Sequence, residues 1–209
     1  MRNLIIGADP FPPYQYINES GEICGVDYDT VKTVIDKMGY KAKYVIADWP
    51  VIEDKFKKSE IDIVFQVQKT PEREKNYYFS DKLRDAITSI ATSTDDNTNL
   101  NSIEDIIKGK RIIGVINNYQ YGEIIDSIDV SCKRYFKSLE ELLESLNSTE
   151  VEFGVVDLGV FNFLNKNAYY NKIKIIEKLN FNRPLYVAFN DDQLRNEFNI
   201  CLSEYYKLK

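Results

Sequence analysis

The chain has 209 residues, 44% of them hydrophobic and 29% charged, which is enough apolar material for one large domain or two small ones. A formal net charge of −6 with no Lys/Arg cluster weighs against nucleic acid and anionic membrane as partners. Three widely separated cysteines and no histidine argue against a zinc site and remove imidazole from any catalysis.

No window approaches the ~18 uninterrupted apolar residues of a membrane span. The opening Met1-Arg2-Asn3-Leu4-Ile5-Ile6-Gly7 lacks the apolar region of a signal peptide and reads as a strand over 3–8. The loop Asp9 to Tyr16 carries Pro10, Pro12 and Pro13, which stiffen it and put Phe11, Tyr14 and Tyr16 on a rigid support. Two of these three aromatics are expected as plugs beneath the loop. After a turn at Asn18-Glu19-Ser20-Gly21, Val31, Val34, Ile35 and Met38 form one buried helical stripe that Gly39 ends. Lys41 to Ile46 is a strand, Asp48-Trp49-Pro50 a loop, and Val51 to Lys58 a short helix. Trp49 is then an edge plug or a stacking surface.

A buried strand over 61–66 leads to Gln66-Val67-Gln68-Lys69-Thr70-Pro71-Glu72-Arg73. Thr70 fits an N-cap and Pro71 the first helical position, so the chain leaves a sheet and turns into a helix with Arg73 in its first turn. A forked cation beside free backbone N–H groups suits a ligand carboxylate. The plainer alternative is an ordinary capped helix with a solvated arginine.

Ala86 to Thr92 reads as a strand, and 94–101 as a polar loop or the edge of a new unit. A helix opens at Ser102, a strand covers 111–116, and Asn117 to Tyr121 is a loop feeding a short helix to about 126. Ser138 and Glu141 make a capping box ahead of the stripe Leu139, Leu142, Leu143 and Leu146. A strand over 153–156 ends in Asp157, a helix runs to about 165, strands follow at 172–176 and 185–189, and Asp191-Asp192 opens a last helix. Strands and helices alternate twice, which predicts an α/β protein of two lobes with mostly parallel sheets. Ligands in such sheets sit beyond the carboxyl ends of strands, where the loops after 61–66, 111–116 and 153–156 lie.

Taken together, Phe11-Pro12-Pro13-Tyr14, Gly21 through Gly25-Val26-Asp27-Tyr28-Asp29, Lys58-Ser59-Glu60-Ile61-Asp62, Thr70-Pro71-Glu72-Arg73, Phe79-Ser80-Asp81, Gly114-Val115 and the strand ending in Asp157 resemble the type II periplasmic solute-binding proteins that bind polar amino acids. The resemblance covers nearly the whole chain. It implies a Venus-flytrap clamp: lobe 1 at 1–88 plus 187–209, lobe 2 at 93–181, and hinge crossovers at about 88–92 and 181–187. It implies that Arg73 pairs with a ligand α-carboxylate, assisted by Thr70 and Gln68, and that Asp157 takes the α-ammonium. Phe11 and Trp49 would sandwich the ligand side chain, with Tyr14 beside them. For Asp157 the alternative is plain helix capping.

The chain departs from the family at Gln66 and Gln68, where small residues are usual, and at Asn118-Tyr119, where Gly-Thr is usual. These four residues are expected to reshape the pocket, and the Asn-Tyr-x-Tyr loop is similar to copies of the domain fused to membrane sensors. The implied function is an extracellular or periplasmic binding domain, tethered to the membrane in the full-length protein, with its leader absent from this chain. It would serve an ABC-type importer permease or a fused transmembrane signalling module, with no cofactor, no metal and no catalytic residues. Two alternatives stand beside it. One is a dehydratase-like enzyme using Glu72 or Asp157 with Lys69. The other is a protein-interaction domain whose cleft is packed shut by Gln66, Gln68 and Tyr119.

Overall fold

The computed structural model describes residues 3–96, 100–166 and 170–208, so part of the polar stretch expected at 94–101 lies outside the described residues. The chain divides into two compact units, Met1–Asp85 with Pro184–Lys209, and Ala86–Arg183.

The first unit opens with β1 (Asn3–Ala8), the short pair β2 (Tyr16–Ile17) and β3 (Ile23–Cys24), and α1 (Val26–Lys37). It continues through β4 (Lys41–Ile46), α2 (Trp49–Lys57), β5 (Ile63–Val67), α3 (Pro71–Glu74) and β6 (Tyr78–Phe79). β1 lies between β4 and β5, parallel to both, in a register that sets Ile6 against Tyr44 and Ile63. One face of this sheet packs Leu4, Ile6, Ile63 and Phe65 with Val31, Val34 and Ile35 of α1. The other packs Val64 and Val67 with Ile52 and Phe56 of α2. Burial on both faces is why 61–65 reads as a nearly unbroken apolar run. Each such fully buried aliphatic or phenyl side chain stabilises the fold by about 1.5–3 kcal/mol relative to leaving it in water.

Gly25 precedes α1 at φ 127°, where a Cβ would fall 2.3 Å from the Tyr14 carbonyl oxygen, so the corner admits only glycine. Gly39, at φ 81°, ends the same helix as the stripe predicts. α2 starts earlier than expected: Pro50 is tolerated in its first turn, where the missing N–H has no helical partner to lose, and Trp49 is therefore helical.

β7 (Arg84–Ser93) carries the chain from the first unit into the second. There follow α4 (Ile103–Lys108), β8 (Ile113–Ile116), α5 (Glu123–Asp126), β9 (Lys133–Phe136) and α6 (Leu139–Asn147). Then come β10 (Phe153–Asp157), α7 (Leu158–Leu164) and β11 (Ile173–Ile175). β8 pairs in parallel with β10 and β9, while β7 pairs antiparallel with β10 and β11. The expected leucine stripe is in place: Leu142, Leu143 and Leu146 are fully buried in one cluster with Ile113, Phe153 and Val155, and Leu139 packs at its edge. β9 carries no apolar alternation in sequence, because Lys133, Arg134 and Tyr135 are charged or exposed residues on a four-residue edge strand.

β12 (Phe181–Phe189) returns the chain to the first unit, pairs antiparallel with β5 and β6, and leads into α8 (Asp192–Lys207). Each unit thus has a parallel core that its long strand joins in antiparallel sense, and both passages between units run within a continuous strand.

Candidate functional site

In the first unit the corner after β5 is built as the residues predict. Thr70 is extended (φ −131°, ψ 154°) and its side-chain oxygen accepts from the Arg73 backbone N–H at 3.3 Å, with Pro71 in the first turn of α3. The Arg73 guanidinium is largely withdrawn from solvent. One terminal nitrogen donates to the Gln68 carbonyl oxygen at 3.2 Å, the other to Glu53 Oε1 at 3.2 Å, and the group lies 5.2 Å from the centre of the Trp49 ring. Because α2 begins at Trp49, Glu53 falls one turn further along the same helical face. Lys57 holds the other oxygen of Glu53, also at 3.2 Å. The Gln68 amide oxygen is buried and accepts no hydrogen bond among the described residues. Lys69 lies over the Tyr186 and Phe79 rings and 3.6 Å from Glu74.

Gln66 and Tyr14 join a different cluster. Gln66 is the extra residue of a β-bulge, since Val67 pairs with Tyr186 and Phe65 with Val187, and it sits at φ 63°, rare outside glycine. Its amide donates to Asp27 Oδ2 at 2.9 Å, which also accepts from Arg84 Nε at 2.7 Å. The Arg84 guanidinium stacks 3.5 Å above the Tyr14 ring, and Phe11 stacks on Tyr14 with centroids 6.0 Å apart. Asp27, in the first turn of α1, is buried and so depends on these two donors and the positive end of its helix.

In the second unit Asp157 is the N-cap of α7. Its Oδ1 accepts from the backbone N–H groups of Gly159 and Val160 at 2.9 and 3.1 Å. Its Oδ2 faces Arg183 Nη2 at 3.9 Å, and Arg183 also donates to Thr88 Oγ1 and the Gln120 carbonyl. In the loop after β8, Asn118 is left-handed at φ 63°, a conformation asparagine tolerates, and Tyr119 packs on the core of this unit. Tyr121 is buried, accepts from the Ile116 N–H at 2.8 Å, and burial holds its phenol well above the ordinary range.

Asn118 and Tyr119 lie on the loop after β8, and the other expected residues fall into three groups. Arg73, Thr70, Gln68 and Trp49 gather at one corner; Gln66, Tyr14 and Phe11 gather around Asp27 and Arg84; Asp157 stands with Arg183. Glu53, Arg84 and Arg183 were not anticipated. Glu53 would have been visible had α2 been started at Trp49, one turn upstream of it. Arg84 and Arg183 had no local signal, because each is fixed by a partner far away in sequence. A depression of about 370 Å³ lined by Asp81, Lys82, Leu202, Ser203, Tyr206 and Lys207 lies in the first unit and includes none of the expected residues. Among the described residues there is no cluster suited to a metal ion and no helix long and apolar enough to cross a membrane.

A probable amino-acid ABC transporter-binding protein of Haemophilus influenzae is 26% identical over 112 residues, 53% of this chain and 43% of that protein, so the match spans less than half of that relative. The arginine-binding extracellular protein ArtP of Bacillus subtilis is 25% identical over 214 residues, covering 97% of this chain and 80% of ArtP. The crystal structure of a histidine kinase sensor domain similar to periplasmic binding proteins superposes with a TM-score of 0.86 at 14% identity, over 99% of this chain and 91% of that one. The fold is that of the two-lobed type II periplasmic binding proteins. The model of the bacterial extracellular solute-binding proteins, family 3, matches residues 4–207, and the chain belongs to that family.

Proposed function

We propose that this chain is an extracytoplasmic receptor domain for a free amino acid, with Arg73 receiving the ligand carboxylate and Asp157 its ammonium. The observation that carries the reading is the state of Arg73: a guanidinium drawn out of solvent, laid against Trp49 and aimed at acceptors 3.2 Å away. A planar fork of this kind matches an oxyanion such as a carboxylate or phosphate through two parallel hydrogen bonds, and the amino-acid-binding relatives favour the carboxylate. The unmet amide oxygen of Gln68, beside the same corner, supplies an acceptor for a ligand N–H. The names of ArtP and of the H. influenzae relative support the amino-acid class. Phe11, Tyr14 and Trp49 supply aromatic surface for the ligand side chain, and Thr70, Gln66, Asn118 and Tyr119 shape its surroundings. Closure of the two lobes follows because a zwitterion has differential contacts only when both units hold it.

The domain serves a membrane partner, an importer permease or a fused transmembrane signalling module, and is tethered outside the cytoplasmic membrane in the full-length protein. The sensor-domain likeness supports the signalling option at the level of the fold.

A thermal-shift panel of the twenty common amino acids tests the reading, with agmatine, which is arginine without its carboxylate, as the control. At ~100-fold over its dissociation constant the true ligand stabilises by about 2.7 kcal/mol. The expected result is one or a few stabilising amino acids and none from agmatine. Stabilisation by agmatine as large as that by the best amino acid, or stabilisation by none of the amino acids, rejects it.

A further inference from the structure

Resting on that reading of Arg73, we propose that Glu53 is an intramolecular stand-in for the ligand carboxylate and sets the affinity of the site. Three features support this. First, the Glu53–Arg73 contact uses a single carboxylate oxygen at 3.2 Å, longer than the 2.7–2.9 Å typical of a charge-assisted bond, so it is a loose contact that a bidentate ligand carboxylate would outcompete. Second, Glu53 has somewhere to go. Its other oxygen already contacts Lys57 at 3.2 Å, and the Lys57 ammonium is mostly exposed, so a displaced Glu53 keeps a cation and regains water. Third, Arg73 does not need Glu53 to hold its position. The Gln68 carbonyl, the Trp49 ring and the Thr70 cap fix the guanidinium and the short helix that carries it.

Binding is then an exchange. A ligand carboxylate enters the fork of Arg73, Glu53 leaves it for Lys57, and the net gain is the difference between the two anions. A ligand without a carboxylate cannot make this exchange, so Glu53 penalises weak anions and tunes the receptor to the higher end of ambient ligand concentration.

Calorimetric titration of L-arginine and agmatine into the wild type, Glu53→Gln, Arg73→Ala and the double variant tests the proposal. Glu53→Gln is expected to bind L-arginine about tenfold more tightly, with agmatine unchanged. Glu53→Met, which keeps the stem and removes the anion, should give the same gain and guards against a folding artefact of either variant. The gain should vanish in the double variant. Affinity for L-arginine that is unchanged, weaker or undetectable in both Glu53 variants overturns the stand-in role. If Arg73→Ala abolishes wild-type binding while Glu53→Gln changes nothing, only this inference falls. If Arg73→Ala binds as the wild type does, the assignment of Arg73 itself falls.

Discussion

The two units carry their key charges in opposite ways. In the first, Arg73 touches a carbonyl, a carboxylate and an indole, each through a different part of one planar group. In the second, Asp157 is built into the fold: one oxygen closes the start of α7 and the other faces the guanidinium of Arg183. A guanidinium has five donors and can be shared, whereas a carboxylate that caps a helix has already committed half its capacity. The ligand-binding role proposed for both charges therefore has different structural consequences in the two units, and stability measurements separate them.

The largest effect should come from the buried pair of the first unit, which neither charge above involves. Asp27 and Arg84 have side chains only 4% and 16% exposed, and Arg84 holds the strand that leaves for the second unit. Asp27→Ala strips Arg84 and Gln66 of their acceptor, so urea unfolding should show a loss of about 3–5 kcal/mol. A loss under about 1 kcal/mol would mean that the bulge at Gln66 and the stack on Tyr14 hold the region without it. Next, Asp157→Ala should cost about 1–2 kcal/mol through the lost cap, and Asp157→Asn distinctly less, because an amide oxygen still accepts from Gly159 and Val160. Equal losses for the two would show that charge against Arg183, and not capping, is what Asp157 contributes to stability. The smallest effect is expected at Thr70→Ala, about 0.5–1 kcal/mol, since it removes one 3.3 Å cap on a four-residue helix.

Most of the fold could be read from the sequence because its signals are local. The stripe of α6, the Thr70 cap with Pro71 behind it, and Gly39 at the end of α1 each need only neighbours in the chain to declare themselves. β9 could not be read, because an edge strand guarded by Lys133 and Arg134 buries only Phe136, too little to produce a pattern. The bulge at Gln66 was equally hidden. It exists only because β12 pairs with β5 from far along the chain, and it turns Gln66 toward Asp27. At the site, residue types declared the candidate charges but not their companions. Glu53 lies twenty residues before Arg73 and shows only once α2 is started at Trp49, whereas Arg183, twenty-six residues after Asp157, is paired with it by tertiary structure alone.

The most direct test is the affinity of Arg73→Ala for whichever amino acid best stabilises the wild type, measured by titration calorimetry alongside its melting temperature. Charge-assisted hydrogen bonds contribute about 1.5–3 kcal/mol each, so losing a bidentate pair should weaken binding by about 100-fold or more. The account predicts that loss in a variant that melts close to the wild type. An affinity within threefold of the wild type would contradict it.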